Sequence, residues 1–269
     1  MKLDDVIRLA KIADPGFGDG PESDGTMTDS LIGINSIMRF ARLVEIVTHL
    51  ERFDIENYTI NDDLTVDVDG DVIMDRINLK SLPVIFGKVS GDFDCSSNQL
   101  ISLKGAPKEV GGDFSCNNNQ LTSLEGAPRE VGGDFNCYGN RLTSLDGAPR
   151  EVGGNFNCSS NRLLSLKGAP REVGGDLWCT YNQLTSLKGA PREVGGDFEC
   201  YGNELTSLNG APREVGGDFN CGGNKLVSLE GAPREVGGDF LCMHNLLTSY
   251  DGIGFVGGEL KCAIQFNGN

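Results

Sequence analysis

The chain has 269 residues, 38 of them glycine and nine of them cysteine, with a formal net charge of −16. Positions 1–70 carry 6 basic against 15 acidic residues and the remainder 17 against 24, a balance that argues against direct nucleic-acid binding. The glycine belongs to a repeat and not to a disordered linker, and no apolar run approaches the ~18 residues of a membrane span, so no membrane contact is expected.

In chain order, Lys2 to Ala13 predicts a short amphipathic helix with Leu3, Val6, Ile7, Leu9 and Ala10 on its apolar side. This charged start lacks the uninterrupted apolar stretch of a signal peptide, and the cytoplasm is the expected location. Positions 14–25 form a loop dense in breakers. Asp29 or Ser30 can cap a second helix that runs to about Arg52, with Phe40, Leu43, Val44, Val47 and Leu50 facing a partner. Residues 1–56 are therefore expected to be a helical cap. In 57–90, Tyr58 to Ile60 and Leu64 to Val68 predict a hairpin around Asn61, Asp62 and Asp63. A degenerate first repeat follows, with Val72 in place of Phe93 and Met74 in place of Cys95. The segment DVDGDVIMD has carboxylates reminiscent of a calcium loop, but its glycine is misplaced for one.

From 91 to 262 one sentence is repeated: GDFDCSSNQLISLKGAPKEV, GGDFSCNNNQLTSLEGAPREV, GGDFNCYGNRLTSLDGAPREV and onward. Cys95, Cys116, Cys137, Cys158, Cys179, Cys200, Cys221 and Cys242 mark a period of 21, and Cys262 follows one residue short. A unit this small must stack on its neighbours to bury its apolar face. Against L-x-x-L-x-L-x-x-N-x-L, Phe114 takes the fourth position, Cys116 the sixth, Asn119 the ninth and Leu121 the eleventh. The expected fold is a leucine-rich-repeat solenoid, mostly β within the α/β superfamily. It should carry parallel strands on a concave face, an extended, polyproline-like convex side and a small helical and hairpin cap at the N-terminus.

Phe and Cys, two apart on a strand, both face the core, and the buried Asn should form a ladder to turn backbone and to the next coil. Gly132 and Gly133 should permit the tight return between coils. The cysteines read as buried thiols packed as small hydrophobes. One thiol per coil, without His or paired Cys, is a poor metal set, so neither metal nor cofactor is expected. In the tail, 263–269, Ile264 and Phe266 can fold back as a crude cap, failing which that end could self-associate.

The units, of the form NNQLTSLEGAPREVGGDF and preceded by INDDLTVDVDGDV, resemble the short leucine-rich repeats of proteins encoded by tailed bacteriophages over about Asn57 to Cys262. More distantly they resemble the repeats of bacterial effectors with leucine-rich domains, which have a second proline–leucine pair where this chain has GAP. The pieces VIRLAKIAD and RFARLVE resemble paired segments of small phage proteins. The resemblance implies a phage-encoded binding solenoid with no catalytic site, working in the host cytoplasm.

Positions identical in every coil are explained by folding, so function is sought where coils differ. On the strand's outward side Tyr138, Arg141, Arg162, Trp178, Tyr181, Glu199 and Tyr201 supply aromatic and arginine anchors for a protein partner, expected to be host-encoded. Unrestrained drift at solvated positions is the bland alternative. A column of like charge, Asp92, Asp113, Asp134, Asp176, Asp197, Asp218 and Asp239, needs something to offset its repulsion. Hydrogen bonds to glycine-turn amides would do so, as would a basic partner or cations. On the other side Lys108, Arg129, Arg150, Arg171, Arg192, Arg213 and Arg234 each precede Glu, and are expected to form a solvated ion-pair lattice. Neither His49 nor His244 has a nucleophile at a recognisable spacing, so the chain does not read as an enzyme. Three functions compete: a binder, and inhibitor, of a host protein; an acidic nucleic-acid mimic; and a structural or self-assembling phage component.

Overall fold

The computed structural model describes residues 27–264. The helix expected at Lys2 to Ala13, the loop 14–25 and Phe266 lie outside the described residues. Helix α1 spans Met27–Arg52, beginning ahead of the expected Asp29 or Ser30 cap. Its last turns bury Leu43, Ile46, Val47 and Leu50. Ile46 and Leu50 join the core of the first coil beside Val66, Val72 and Met74, while Leu43 and Val47 pack with Ile60 and Leu64. The helix thus covers the end of the stack, where core would otherwise be open to water. Strand β1 (Tyr58–Ile60) pairs antiparallel with β2 (Val66–Val68), Tyr58 opposite Val68.

Two sheets run the length of the molecule. One has ten parallel strands of two residues each, from Val72–Ile73 through Phe93–Asp94 to Leu260–Lys261; it is called here the Phe–Cys sheet. The other has eleven strands: the hairpin, Phe86–Val89, then Glu–Val pairs from Glu109–Val110 to Glu235–Val236, and Phe255–Val256. Both stay in register, Phe114 beside Phe135 and Val110 beside Val131. This is a leucine-rich-repeat solenoid with an N-terminal cap. The side read as extended or polyproline-like is extended, and its strands pair as a second sheet. The reason is β-branched Val, which turns inward at every coil, while backbone bonds run from coil to coil, as from Arg129 N to Lys108 O at 2.9 Å.

Each coil passes from the Glu–Val strand through Gly–Gly–Asp directly into the next Phe strand, so the sheets meet along this corner. The glycines there are required by close approach and not by turn conformation. A Cβ on Gly132 would overlap the carbonyl oxygen of Gly111, and one on Gly133 would overlap Asp113 Oδ1. Positive φ occurs instead at the glycine before Ala-Pro, 93° at Gly126 and 95° at Gly147, and at some positions of the turn after the Phe strand.

Inside, Phe rings stack along the axis, 5.5 Å apart from Phe93 to Phe114 and 5.2 Å from Phe114 to Phe135. Asn119 shows the ladder: its Nδ2 donates to Cys95 O at 3.0 Å and to Cys116 O at 3.1 Å, and its Oδ1 accepts from Leu100 N at 2.9 Å. The bonds reach the preceding coil rather than the next. Cys95 to Cys221 are seven buried free thiols. Desolvation pushes them up, to about 12 for Cys158, so no thiolate forms at neutral pH. Cys242 and Cys262 stand apart from these seven: they lie on neighbouring coils with Cα atoms 4.6 Å apart, where the spacing shortens to 20 residues.

Candidate functional site: the outer face of the Phe–Cys sheet

The first outward position of the strand follows, in four of the eight regular coils, a folding rule that composition alone conceals. Asp94, Asn136, Asn157 and Asn220 each accept, through Oδ1, the backbone N–H two residues on, at 2.8, 3.1, 3.0 and 3.0 Å. A short acid or amide is therefore the structural choice here, because it closes its own turn. Ser115, Trp178, Glu199 and Leu241 depart from that choice, and Trp178 and Glu199 do so in adjacent coils, in register with each other. In the coil of Trp178 the corresponding N–H, that of Thr180, is taken by Ser159 Oγ at 3.2 Å.

A second rule governs the turn that follows. Ser97, Asn118, Gly139, Ser160, Tyr181, Gly202, Gly223 and His244 all have left-handed φ, between 52° and 69°. Gly, Asn and small polar residues tolerate this region, whereas a bulky side chain there costs about 1–2 kcal/mol. Tyr181, at φ 52° and 61% exposed, accepts that cost in the coil of Trp178. His244 does so near the C-terminal end, beside exposed Met243 and Leu246.

The tyrosines are seated. A Cβ on Gly202 would meet Tyr181 Cδ1 at 3.0 Å, and one on Gly223 would meet Tyr201 Cε2 at the same distance, so each ring lies over a glycine one coil on. The Tyr181 and Tyr201 rings meet edge to face with centroids 5.7 Å apart. Glu199 is half-buried between the Trp178 and Asn220 strands and hydrogen-bonded to the Asn220 side chain. Burial, with Asp197, Asp218 and Asp176 adding to it, raises its carboxyl above the usual range.

The structure thus brings together Trp178, Tyr181, Glu199 and Tyr201. Tyr138 is exposed in the same column as Tyr201 but three coils away, about 14 Å at strand spacing, and exposed Arg141 and Arg162 lie toward its end of the face. The Asp column forms a ladder in which each Oδ1 accepts the next coil's N–H: Asp113 N to Asp92 at 2.8 Å, Asp134 N to Asp113 at 2.7 Å, Asp218 N to Asp197 at 2.7 Å. Asn155 keeps the ladder intact, accepting from Asp176 N at 2.7 Å. Backbone amides therefore offset the repulsion.

A groove of about 1420 Å³ runs along the other sheet, over Val110, Gly111 and their repeats, with Lys88, Glu109, Glu130 and Glu151 on its margin. The ion-pair lattice expected there is mostly absent: among the described residues Arg213–Glu214 is the one neighbouring Arg–Glu pair formed, at 3.5 Å, and Lys88–Glu109 pairs at 2.5 Å five coils away. Exposed Arg and Glu gain too little from pairing to hold one geometry. No three His, Cys, Asp or Glu among the described residues gather as a metal site, and no described helix is long and apolar enough to cross a membrane.

No protein-family model and no curated protein matches the chain. Among solved structures it is similar to YopM from Yersinia enterocolitica WA-314, over 96% of this chain and 72% of that one, with 13% identity and a TM-score of 0.31. At that score the likeness carries no argument; the solenoid assignment rests on the coils themselves.

Proposed function

We propose that this solenoid is a non-enzymatic protein-binding scaffold that engages its partner through Trp178, Tyr181, Glu199 and Tyr201, with Tyr138, Arg141 and Arg162 extending the contact. One observation carries the reading: the coil of Trp178 sets aside both folding rules, the coil of Glu199 beside it sets aside the first, and the Tyr181 and Tyr201 rings of these two coils pack together. The coil of Leu241 and His244 departs from both rules too, but at Trp178 and Glu199 the departures bring a ring pair and a carboxylate together. Rigid aromatics on a sheet are the residue types that anchor interfaces. On the resemblance of its units to the phage type, the proposed partner is a host protein in the host cytoplasm, and the proposed effect is inhibition.

Affinity capture from bacterial lysate by the wild-type chain and by a Trp178→Ala, Tyr201→Ala variant tests this. A protein retained by the first and lost by the second supports it, and equal recovery overturns it. A second reading, self-association through the C-terminal coils, draws on exposed Met243, Leu246, Phe255 and Leu260. It predicts a concentration-dependent mass that Phe255→Asp abolishes.

A further inference from the structure

We infer that the paired coils of Cys179 and Cys200 form a receptor for an arginine side chain presented by the partner, with Glu199 as its counter-ion and the Trp178 and Tyr201 rings beside it. The inference rests on the binding face proposed above and names what that face accepts.

The geometry is that of a cation site left open. Trp178 and Glu199 are register partners on neighbouring strands, and Glu199 and Tyr201 project from the same face two residues apart. Tyr201 is held over Gly223 and braced edge-on by Tyr181, so its ring is fixed before a partner arrives. The Asn220 amide holds the Glu199 carboxylate from the far side. Gly222, buried in the coil beyond, would meet Tyr201 Cδ2 and Asn220 Oδ1 at 3.2 Å if it bore a Cβ; a larger residue there would disturb both ring and amide.

Charge selects the occupant. The charges that act most on Glu199 are Asp197, Asp218 and Asp176, all of its own sign. Among the described residues Glu199 belongs to no ion pair, and Lys225, one coil on, is already committed to Glu204. A carboxylate half out of water, ringed by like charge, with Trp178 in register on the next strand and Tyr201 two residues on, is matched by a guanidinium. That group stacks flat on an aromatic ring and forks two N–H donors onto a carboxylate, which an ammonium does less well.

The chain's one tryptophan is Trp178, so its fluorescence reports on this site without labelling. The probes are an acetylated, amidated Gly-Arg-Gly-Arg-Gly peptide and the same peptide with citrulline, which is isosteric and neutral. The arginine peptide should give a saturable change in Trp178 emission, with the citrulline peptide about tenfold weaker or worse. Glu199→Gln should lose a similar factor for the arginine peptide, and Glu130→Gln, on the other sheet, should lose nothing. No saturable response, equal response to both peptides in the wild-type chain, or full arginine binding by Glu199→Gln with an unchanged melting curve would each overturn the receptor. A protein partner that requires Trp178 and Tyr201 yet binds Glu199→Gln as tightly as wild type would overturn the arginine site while leaving the binding face standing.

Discussion

At the residue scale, the most consequential side chain in each coil is the buried Asn. Asn161 donates to Cys137 O and Cys158 O, both at 3.1 Å, and accepts from Leu142 N at 3.0 Å. Asn161→Ala leaves the Leu142 N–H buried without that partner, while Cys137 O and Cys158 O each keep one bond, from Asn140 Nδ2 and Asn182 Nδ2 at 3.1 Å, so it should cost about 1–3 kcal/mol in chemical denaturation. Gly133→Ala acts through overlap instead. Its Cβ lands on Asp113 Oδ1, and a loss of about 1–3 kcal/mol is expected by the same measurement. Tyr181→Asn should behave differently. Relief of the left-handed backbone, about 1–2 kcal/mol, roughly offsets the lost ring contact, about 0.5–1.5 kcal/mol, so stability should hold within about 1 kcal/mol while partner binding falls.

At the element scale, the coil was largely legible in the sequence: the 21-residue period, the inward Phe and Cys, and the Asn that returns eight times are all visible without coordinates. What was not legible depends on φ or on contacts between coils. The Glu–Val pair is two residues beyond a proline, too short for a strand signal, and becomes sheet only because seven copies stack in register. The left-handed turn column mixes Ser, Asn, Gly, Tyr and His, and nothing in those names reveals a shared φ. For the same reason the Asp and Asn of the outward column looked like variable surface, although four of them close their own turns. The thiol column gives a direct check on the coil. Cys95 to Cys221 should resist alkylation at pH 8 in the native chain, and all seven should react once it is denatured, because burial suppresses the thiolate. The last coil adds a pH dependence. Asp239 accepts Glu259 N at 2.8 Å and pairs with Lys261 at 2.5 Å, which holds its carboxyl below the ordinary 3.8. Its contribution to stability is therefore present above that value and lost as pH falls through the lower, folded one. Protection of the Glu259 amide from hydrogen exchange should drop over that acid window and hold steady at neutral pH.

At the scale of the whole molecule, a stack in which each coil touches only its neighbours separates folding from function unusually well. A residue that serves folding obeys its column, and one that serves binding can be recognised by leaving it. The site proposed here was half visible beforehand: the aromatic and charged types were named from the sequence, but the pairing of Tyr181 with Tyr201, their glycine seats and the isolation of Glu199 needed coordinates. The direct test is the unfolding free energy of a Trp178→Asn, Tyr181→Asn variant, which restores both column rules. The account predicts a chain at least as stable as wild type that no longer retains its partner. A loss of more than about 2 kcal/mol, a burial-scale effect, would show that these residues hold the fold together, and would contradict the assignment of the face to binding.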